Sequence, residues 1–419
     1  MRILIHGINY APELTGVGKY TGEMAEWLAE RGFDVRVVAA PPYYPYWKAQ
    51  EPYRSWVYSI ERRNRVRVYR CPLWIPSKNS LSGMKRILHL LSFALFSAPV
   101  LLAQLMWRPQ LVISVAPSLF GSAVALLAAK SFMTKSWLHI QDFEVDAAVG
   151  LGMISSGRLA KWALRFESAL LRRFDRVSSI SVAMVSRLEL KGVTPDRVFL
   201  LPNWVDCEVL RPLYPKSSLR KEWEIPLTSK VVLYAGNIGK KQGLELLFPV
   251  AEAFLAKRPD VLFIIVGEGA AKVDLERMVF KKGLRNIIFK PLQPIKKLGA
   301  LLATADVHLV LQLRGAADLV MPSKLTGILA AGGAVLATAE EGTELYKVVI
   351  QNEVGQVVQP GSSEDIEMGI ESLLDDMTRL QRYRHNARKF AETHLHKETI
   401  LWDFEQELNR VVAPCGRGD

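Results

Sequence analysis

The stretch Val231-Val232-Leu233-Tyr234-Ala235-Gly236-Asn237-Ile238-Gly239-Lys240-Lys241-Gln242-Gly243 runs from a short apolar segment into a glycine-rich loop carrying two lysines, and a helix-compatible segment follows. An unbroken apolar strand is what a parallel sheet covered on both faces requires, and strand, glycine loop and helix in that order make a βα unit. Val266-Gly267-Glu268-Gly269 repeats the layout after the next apolar run. In the first half, residues 2–7 lead in the same way into Pro12-Glu13-Leu14-Thr15-Gly16-Val17-Gly18-Lys19. Further strands are expected at 34–40, 66–71, 111–116, 136–142, 176–182 and 197–202, and, beyond 231–236, at 261–267, 286–290, 307–313, 334–338 and 354–359. Such alternation along the whole chain predicts an α/β protein built on doubly wound sheets.

At 419 residues the chain is long enough for two or three domains. Residues 206–230, with Pro212, Pro215, Pro226 and several charges, have the composition of a linker. The expected organisation is therefore a first domain over 1–205, a linker over 206–230 and a second domain over 231–392. A terminal helix within 393–419 would pack back on the first domain. Only Cys71, Cys207 and Cys415 occur, which excludes a disulfide framework or a cysteine-based zinc site and suits a reducing compartment. No secretory leader is read at the N-terminus, so a cytoplasmic location is expected.

The net charge of +12 is one-sided. Residues 1–205 hold 26 basic and 14 acidic residues, and the remainder holds 28 of each. Eight of the basic residues, from Arg62 to Arg86, fall within 25 positions. A basic half attracts an anionic surface. No recognition module or aromatic-interleaved basic motif accompanies it, which argues against nucleic acid. The apolar segment 87–107 follows directly. Pro99, His89, Ser92 and Gln104 interrupt it, so it is read as a helix of a folded domain rather than a membrane span; its apolar outside suits a peripheral rest on an anionic membrane surface, and ordinary burial reads equally well.

The loops supply the candidate chemistry. Gly16 and Gly18 allow close backbone approach ahead of a helix start, which suits a phosphate; a tight structural turn reads equally well. His139, Gln141, Asp142 and Glu144 leave the end of a strand together, a place for acid–base chemistry or polar substrate contacts; a surface histidine beside a helix cap is the alternative. Lys240, Lys241, Arg314 and Lys324 lie at loop–helix junctions, where they can neutralise a diphosphate. No Asp-x-Asp pair or His/Cys cluster at metal spacing occurs, so no metal is expected.

The order of these pieces resembles glycosyltransferase family 4, the retaining nucleotide-sugar enzymes of the GT-B fold. The motifs that carry it are Pro12 to Lys19, Ile180-Ser181, Leu201-Pro202-Asn203-Trp204-Val205-Asp206, the loop 236–243 and Pro322-Ser323-Lys324. Gly7-Ile8-Asn9-Tyr10, Ala40-Pro41-Pro42-Tyr43-Tyr44-Pro45, His139-Ile140-Gln141-Asp142 and Arg314-Gly315-Ala316-Ala317-Asp318 are similar, within the family, to enzymes of exopolysaccharide assembly, colanic acid among them. The resemblance implies two Rossmann-like domains facing a central cleft. It implies transfer of a sugar, fucose from GDP-fucose, to a polyprenyl-diphosphate-linked oligosaccharide. It assigns His139 and Asp142 to catalysis, and Glu13, Lys19, Gln141 and Glu144 to the acceptor side. The donor is expected at Gly16, Gly18, Gly236, Asn237, Lys240, Lys241, Gln242, Gly267, Arg314, Asp318, Ser323, Lys324 and Glu344, where Asp318, Glu344, Lys240, Lys241 and Lys324 are read from their positions as substitutes for missing family residues and are not implied by the resemblance. The family's two glutamates, eight positions apart, fall here on Leu319 and Gly327, and its diphosphate-binding Arg and Lys fall on Asn237 and Gln242. These departures leave open a UDP-sugar donor, or a non-catalytic nucleotide- or sugar-binding scaffold.

Overall fold

A computed structural model describes residues 1–13, 16–77, 83–146, 157–213, 218–314 and 322–413. The chain forms two units, Met1–Pro202 with Leu401–Asp419, and Asn203–Ile400.

The first unit is an eight-stranded sheet: β1 (Arg2–Gly7), β2 (Asp34–Ala39), β3 (Ser59–Arg63), β4 (Val66–Arg70), β5 (Leu111–Ala116), β6 (Lys135–Ile140), β7 (Arg176–Ser179) and β8 (Val198–Leu200). Their order across the sheet is β3-β4-β2-β1-β5-β6-β7-β8. Every pairing is parallel except β3 with β4. The central strands are buried along their length, as their apolar sequences require. Strand order reverses between β1 and β5, so the loops leaving those strands flank a switch point, the usual place for a ligand in an open α/β sheet.

The second unit repeats the plan with β9 (Lys230–Ala235), β10 (Val261–Val266), β11 (Ile287–Lys290), β12 (Val307–Val310), β13 (Val335–Thr338) and β14 (Gly355–Val358). All pairings are parallel, in the order β11-β10-β9-β12-β13-β14. Its switch point lies between β9 and β12.

Two features depart from the sequence reading. Strand β3 was not expected, because Ser-Ile-Glu-Arg-Arg lacks the apolar run that marks a buried strand; it is an exposed sheet edge. The described residues of 206–230 are not a free connector. Cys207, Leu210, Leu219 and Ile225 are buried in the second unit. Arg220 is buried too, donating to the carbonyls of Thr304 and Ser229 and to Asp306 Oδ2 at 3.0, 2.9 and 2.8 Å. At the other end, the helix Lys397–Val412 carries Phe404, which meets Trp137 edge-on at 5.1 Å, and Glu407, which pairs with Arg176 at 2.5 Å.

Candidate active site

In the second unit the loops after β9, β10 and β12 knit into one another. Gly236 N–H donates to Val266 O and Ile238 N–H to Glu268 O, both at 2.9 Å, and Leu313 N–H reaches Lys241 O at 2.9 Å. The glycines make this possible. A Cβ on Gly267 would lie 1.9 Å from Gly236 O, and one on Gly269 would lie 2.0 Å from Ile238 O. Thr338 Oγ, at the end of β13, both accepts from Gln312 N–H and donates to Gln312 O, at 2.7 and 2.8 Å, and so fixes the exit of β12.

Lys324 enters this arrangement from the first turn of the helix Ser323–Ala330. Its Nζ sits 4.1 Å from the centroid of the Tyr234 ring, and a Cβ at Gly236 would come within 3.9 Å of it. Tyr234 is held by its own hydroxyl, which donates to Asn237 O at 2.6 Å. Among the described residues no carboxylate pairs with Lys324. The side chain is half-buried, and withdrawal of water from the ammonium pulls its pKa down to about 7. The cost of that unpaired charge is offset when an anion arrives at the strand exits. Tyr234 escaped the sequence reading; its signal was an aromatic hydroxyl at the end of an otherwise aliphatic strand.

The other expected donor residues divide. Asn237, Lys240 and Lys241 are exposed on the same loop. Gln242 is turned inward instead: its Oε1 accepts from Gly239 N–H at 3.1 Å and caps the turn Lys240–Gln242. Arg314, at the exit of β12, faces Glu340 at 3.7 Å. Ser323 and Glu344 begin the helices Ser323–Ala330 and Glu344–Gln351. A Cβ at Gly327 would lie 3.6 Å from Leu210 Cδ2 and 3.7 Å from Leu302 Cδ1, an ordinary contact with apolar neighbours. Asp318 and Leu319 lie outside the described residues.

The first unit treats its glycine loop differently. Glu13 is 3% exposed. Its Oε1 accepts from Tyr43 and Tyr44 N–H and its Oε2 from Asn9 Nδ2, all at 3.0 Å. A Cβ on Gly18 would lie 2.4 Å from Glu13 Oε2. The space a side chain would take at Gly18 is thus filled by the protein's own carboxylate, and Glu13 faces its own loop, which corrects the expectation that it faces a substrate. Gly16 (φ +62) opens the helix Gly16–Glu30, and Lys19 pairs along it with Glu23 at 3.8 Å.

His139 is buried, and both ring nitrogens are engaged. Gln141 Nε2 donates to Nε2 at 2.9 Å, which assigns the proton to Nδ1, the donor to Ser178 Oγ at 2.9 Å. Ser178 also accepts from Trp137 Nε1 at 2.8 Å. Burial lowers the histidine's pKa to about 3, so the ring is neutral. It fixes Gln141 rather than presenting a free nitrogen for the acid–base role expected of His139. Ser178, a fully buried hydroxyl within a strand, was the missed partner. Glu144 Oε2 accepts from Leu119 N–H at 2.9 Å, at the start of the helix Leu119–Ser131. Burial raises its pKa to about 7, and nearby Asp142 pushes the same way. Among the described residues no group of three or more His, Cys, Asp or Glu is gathered to hold a metal.

Two family profiles cover the chain, Glycosyl transferase 4-like domain over residues 15–204 and Glycosyl transferases group 1 over 215–390. The chain is 44% identical over 414 residues to the colanic acid biosynthesis glycosyl transferase WcaI of Escherichia coli K12, covering 97% of this chain and 100% of that one. It is 22% identical to the uncharacterized glycosyltransferase MJ1069 of Methanocaldococcus jannaschii, over 98% of this chain and 99% of the relative. Among solved structures, sucrose-phosphate synthase of Thermosynechococcus elongatus aligns with a TM-score of 0.75 at 18% identity, covering 98% and 99%. Anabaena HepE in complex with UDP-glucose aligns at 0.71 and 16%, covering 98% and 100%. These structural likenesses give the GT-B fold.

Proposed function

The chain belongs to the GT4-type glycosyltransferases, and from that membership we propose that it transfers fucose from GDP-fucose to a polyprenyl-diphosphate-linked oligosaccharide in colanic acid assembly, with retention at the anomeric carbon. The observation that carries the reading is Lys324, a half-buried ammonium on the Tyr234 ring at the switch point of the second unit, with no carboxylate partner among the described residues. As the bond from C1 to the phosphate oxygen breaks, negative charge grows on the leaving diphosphate. Lys324, the exposed Lys240 and Lys241 and the amides of the glycine loop meet that charge. The acceptor hydroxyl forms the new bond to C1, and its proton passes to the departing phosphate. The chemistry is proposed to need no metal, since these cations supply the positive charge.

His139 acts in this reading as a positioning residue. His139→Ala is expected to lower kcat by up to about a hundredfold through displacement of Gln141, with donor affinity nearly unchanged. Wild-type kcat in that variant would make the triad with Ser178 purely structural.

The test is a calorimetric panel of GDP- and UDP-sugars, followed by turnover with the tightest binder. GDP-fucose binding and consumption support the proposal; a UDP-sugar preference moves the donor and keeps the transfer. A second reading rests on Gly327, where the family's carboxylate is missing: a scaffold that binds nucleotide without turnover. Hydrolysis or transfer of any bound donor eliminates it.

A further inference from the structure

The helix Gly83–Ala103 is apolar outside as well as inside, and its polar contacts lie on the inner face. Its inner stripe, His89, Phe93, Ser97 and Leu101, recurs every fourth residue and includes two hydrogen-bonding side chains. His89 bonds Trp74 O at 2.7 Å and Tyr43 OH at 3.1 Å, and Ser97 bonds His6 at 3.0 Å. These bonds hold the helix to the first unit, although it is long and apolar enough to cross a membrane. Its outer stripe is apolar: Met84, Leu88, Leu91, Leu95, Leu102 and, one turn on, Met106 are exposed, Leu95 by 69% and Met106 by 94%. A helix of a water-facing domain puts such a stripe inward.

Beside the helix lies the sheet edge. Between them runs a groove of about 410 Å³ walled by Tyr58, Ile60, Tyr69, Pro99, Val100 and Ala103. Pro99 belongs to both the groove and the exposed stripe, so the two apolar surfaces are continuous. On the same face of the sheet, next along from the Ile60–Tyr69 pair, Arg62 lies directly opposite Arg67, and Arg67 is in register with Arg36 on β2. Like charges directly opposite across a sheet destabilise it. Arg36 is partnered by Gln104 Oε1 at 2.8 Å. Arg62 and Arg67 are exposed and, among the described residues, have no carboxylate partner. By contrast Arg63, on the opposite face, pairs with Glu26 at 3.2 Å. Trp56 and Tyr58 are 59% and 49% exposed, and aromatic side chains of this kind favour a membrane–water boundary.

We propose that this face of the first unit docks on a bilayer of anionic phospholipid, with a headgroup phosphate bridging Arg62 and Arg67, an acyl chain in the groove and the leucine stripe in the headgroup boundary. The inference stands apart from the donor reading, since it rests on other residues of the other unit. A phosphate between two guanidiniums removes their repulsion, and the groove and stripe bury apolar surface that water otherwise covers.

The test uses the full chain and co-sedimentation with vesicles of pure phosphatidylcholine, or of phosphatidylcholine with one-third phosphatidylglycerol. Binding is expected to the anionic vesicles only. Arg62→Gln/Arg67→Gln should weaken it about thirtyfold, and Leu88→Ser/Leu95→Ser should abolish it at moderate salt. Lys281→Gln/Lys296→Gln, which removes the same charge from the second unit, should change it less than threefold. Thermal midpoints confirm that each variant folds. Equal loss in the two charge variants would reduce the effect to net charge and overturn the arginine pair. Equal binding to neutral vesicles, or an unchanged Leu88→Ser/Leu95→Ser, would overturn the proposal. So would competition by millimolar inorganic phosphate, since it would make the arginines a site for a free anion.

Discussion

The two units begin alike and finish as electrical opposites. Each opens with an apolar strand, a glycine loop and a helix, and in each a glycine leaves room that a charged side chain approaches. In the first, the group at Gly18 is the carboxylate of Glu13, satisfied by three donors of the protein itself. In the second, the group at Gly236 is the ammonium of Lys324, which lies over the aromatic face of Tyr234 and, among the described residues, pairs with no carboxylate. Glycine spacing therefore marks where a backbone can come close. The charge that fills the space decides whether the visitor is the protein's own loop or an anion.

Lys324→Ala should break that contrast most strongly. Loss of a charge-assisted contact of about 1.5–3 kcal/mol corresponds to a nucleoside diphosphate affinity lower by about tenfold to a hundredfold. The unliganded variant should be at least as stable as the wild type near pH 6, because an unpaired charge leaves the interior. Unchanged affinity in calorimetry would remove Lys324 from the donor site. A large fall in thermal midpoint would show that the lysine is structural.

Glu13→Ala should give the opposite pattern. Truncation strands the buried amide of Tyr43 and that of Tyr44, so stability should fall by about 1–3 kcal/mol in urea titration. Nucleotide affinity should stay within twofold. A drop in donor affinity comparable to that of Lys324→Ala would make the first loop part of the donor site after all.

Most strands were legible because they are apolar runs, and β1 and β5 end where the sequence reading ends them. Strand β3 was not, since an edge strand is specified by its partner and not by its own hydrophobicity. The glycine loops were legible as loops, and Lys324 as a cation at a helix start. What stayed hidden was which side chains the fold pairs. Glu13 with the amides of 43 and 44, His139 with Ser178, and Gln242 with Gly239 join residues whose partnership depends on tertiary register or on a local turn. Residues 206–230 misled for a related reason: Arg220 looks like a solvent charge until Asp306, 86 positions away, is placed beside it.

The smallest effect expected separates the units by pH. Glu144 has its pKa raised to about 7, so between about pH 4.5 and 7 the folded protein holds a proton that the unfolded chain has released. Stability from this group is greatest at the acid end and falls as pH rises through that window. Lys324 is the reverse. Its pKa is lowered to about 7, so from there up to about 10.5 the unfolded chain holds the extra proton, and stability rises with pH. Either slope is at most about 1.4 kcal/mol per pH unit, and less for half-buried groups. Thermal midpoints taken from pH 5 to 9 should therefore flatten on the acid side in Glu144→Gln and on the alkaline side in Lys324→Met. A wild-type acid slope that survives Glu144→Gln would mean that Glu144 is ionised throughout, and that the helix start at Leu119 holds a full carboxylate. A nucleoside diphosphate at saturation should erase the alkaline slope alone, because an anion beside Lys324 restores its proton, and it should leave Glu144 untouched.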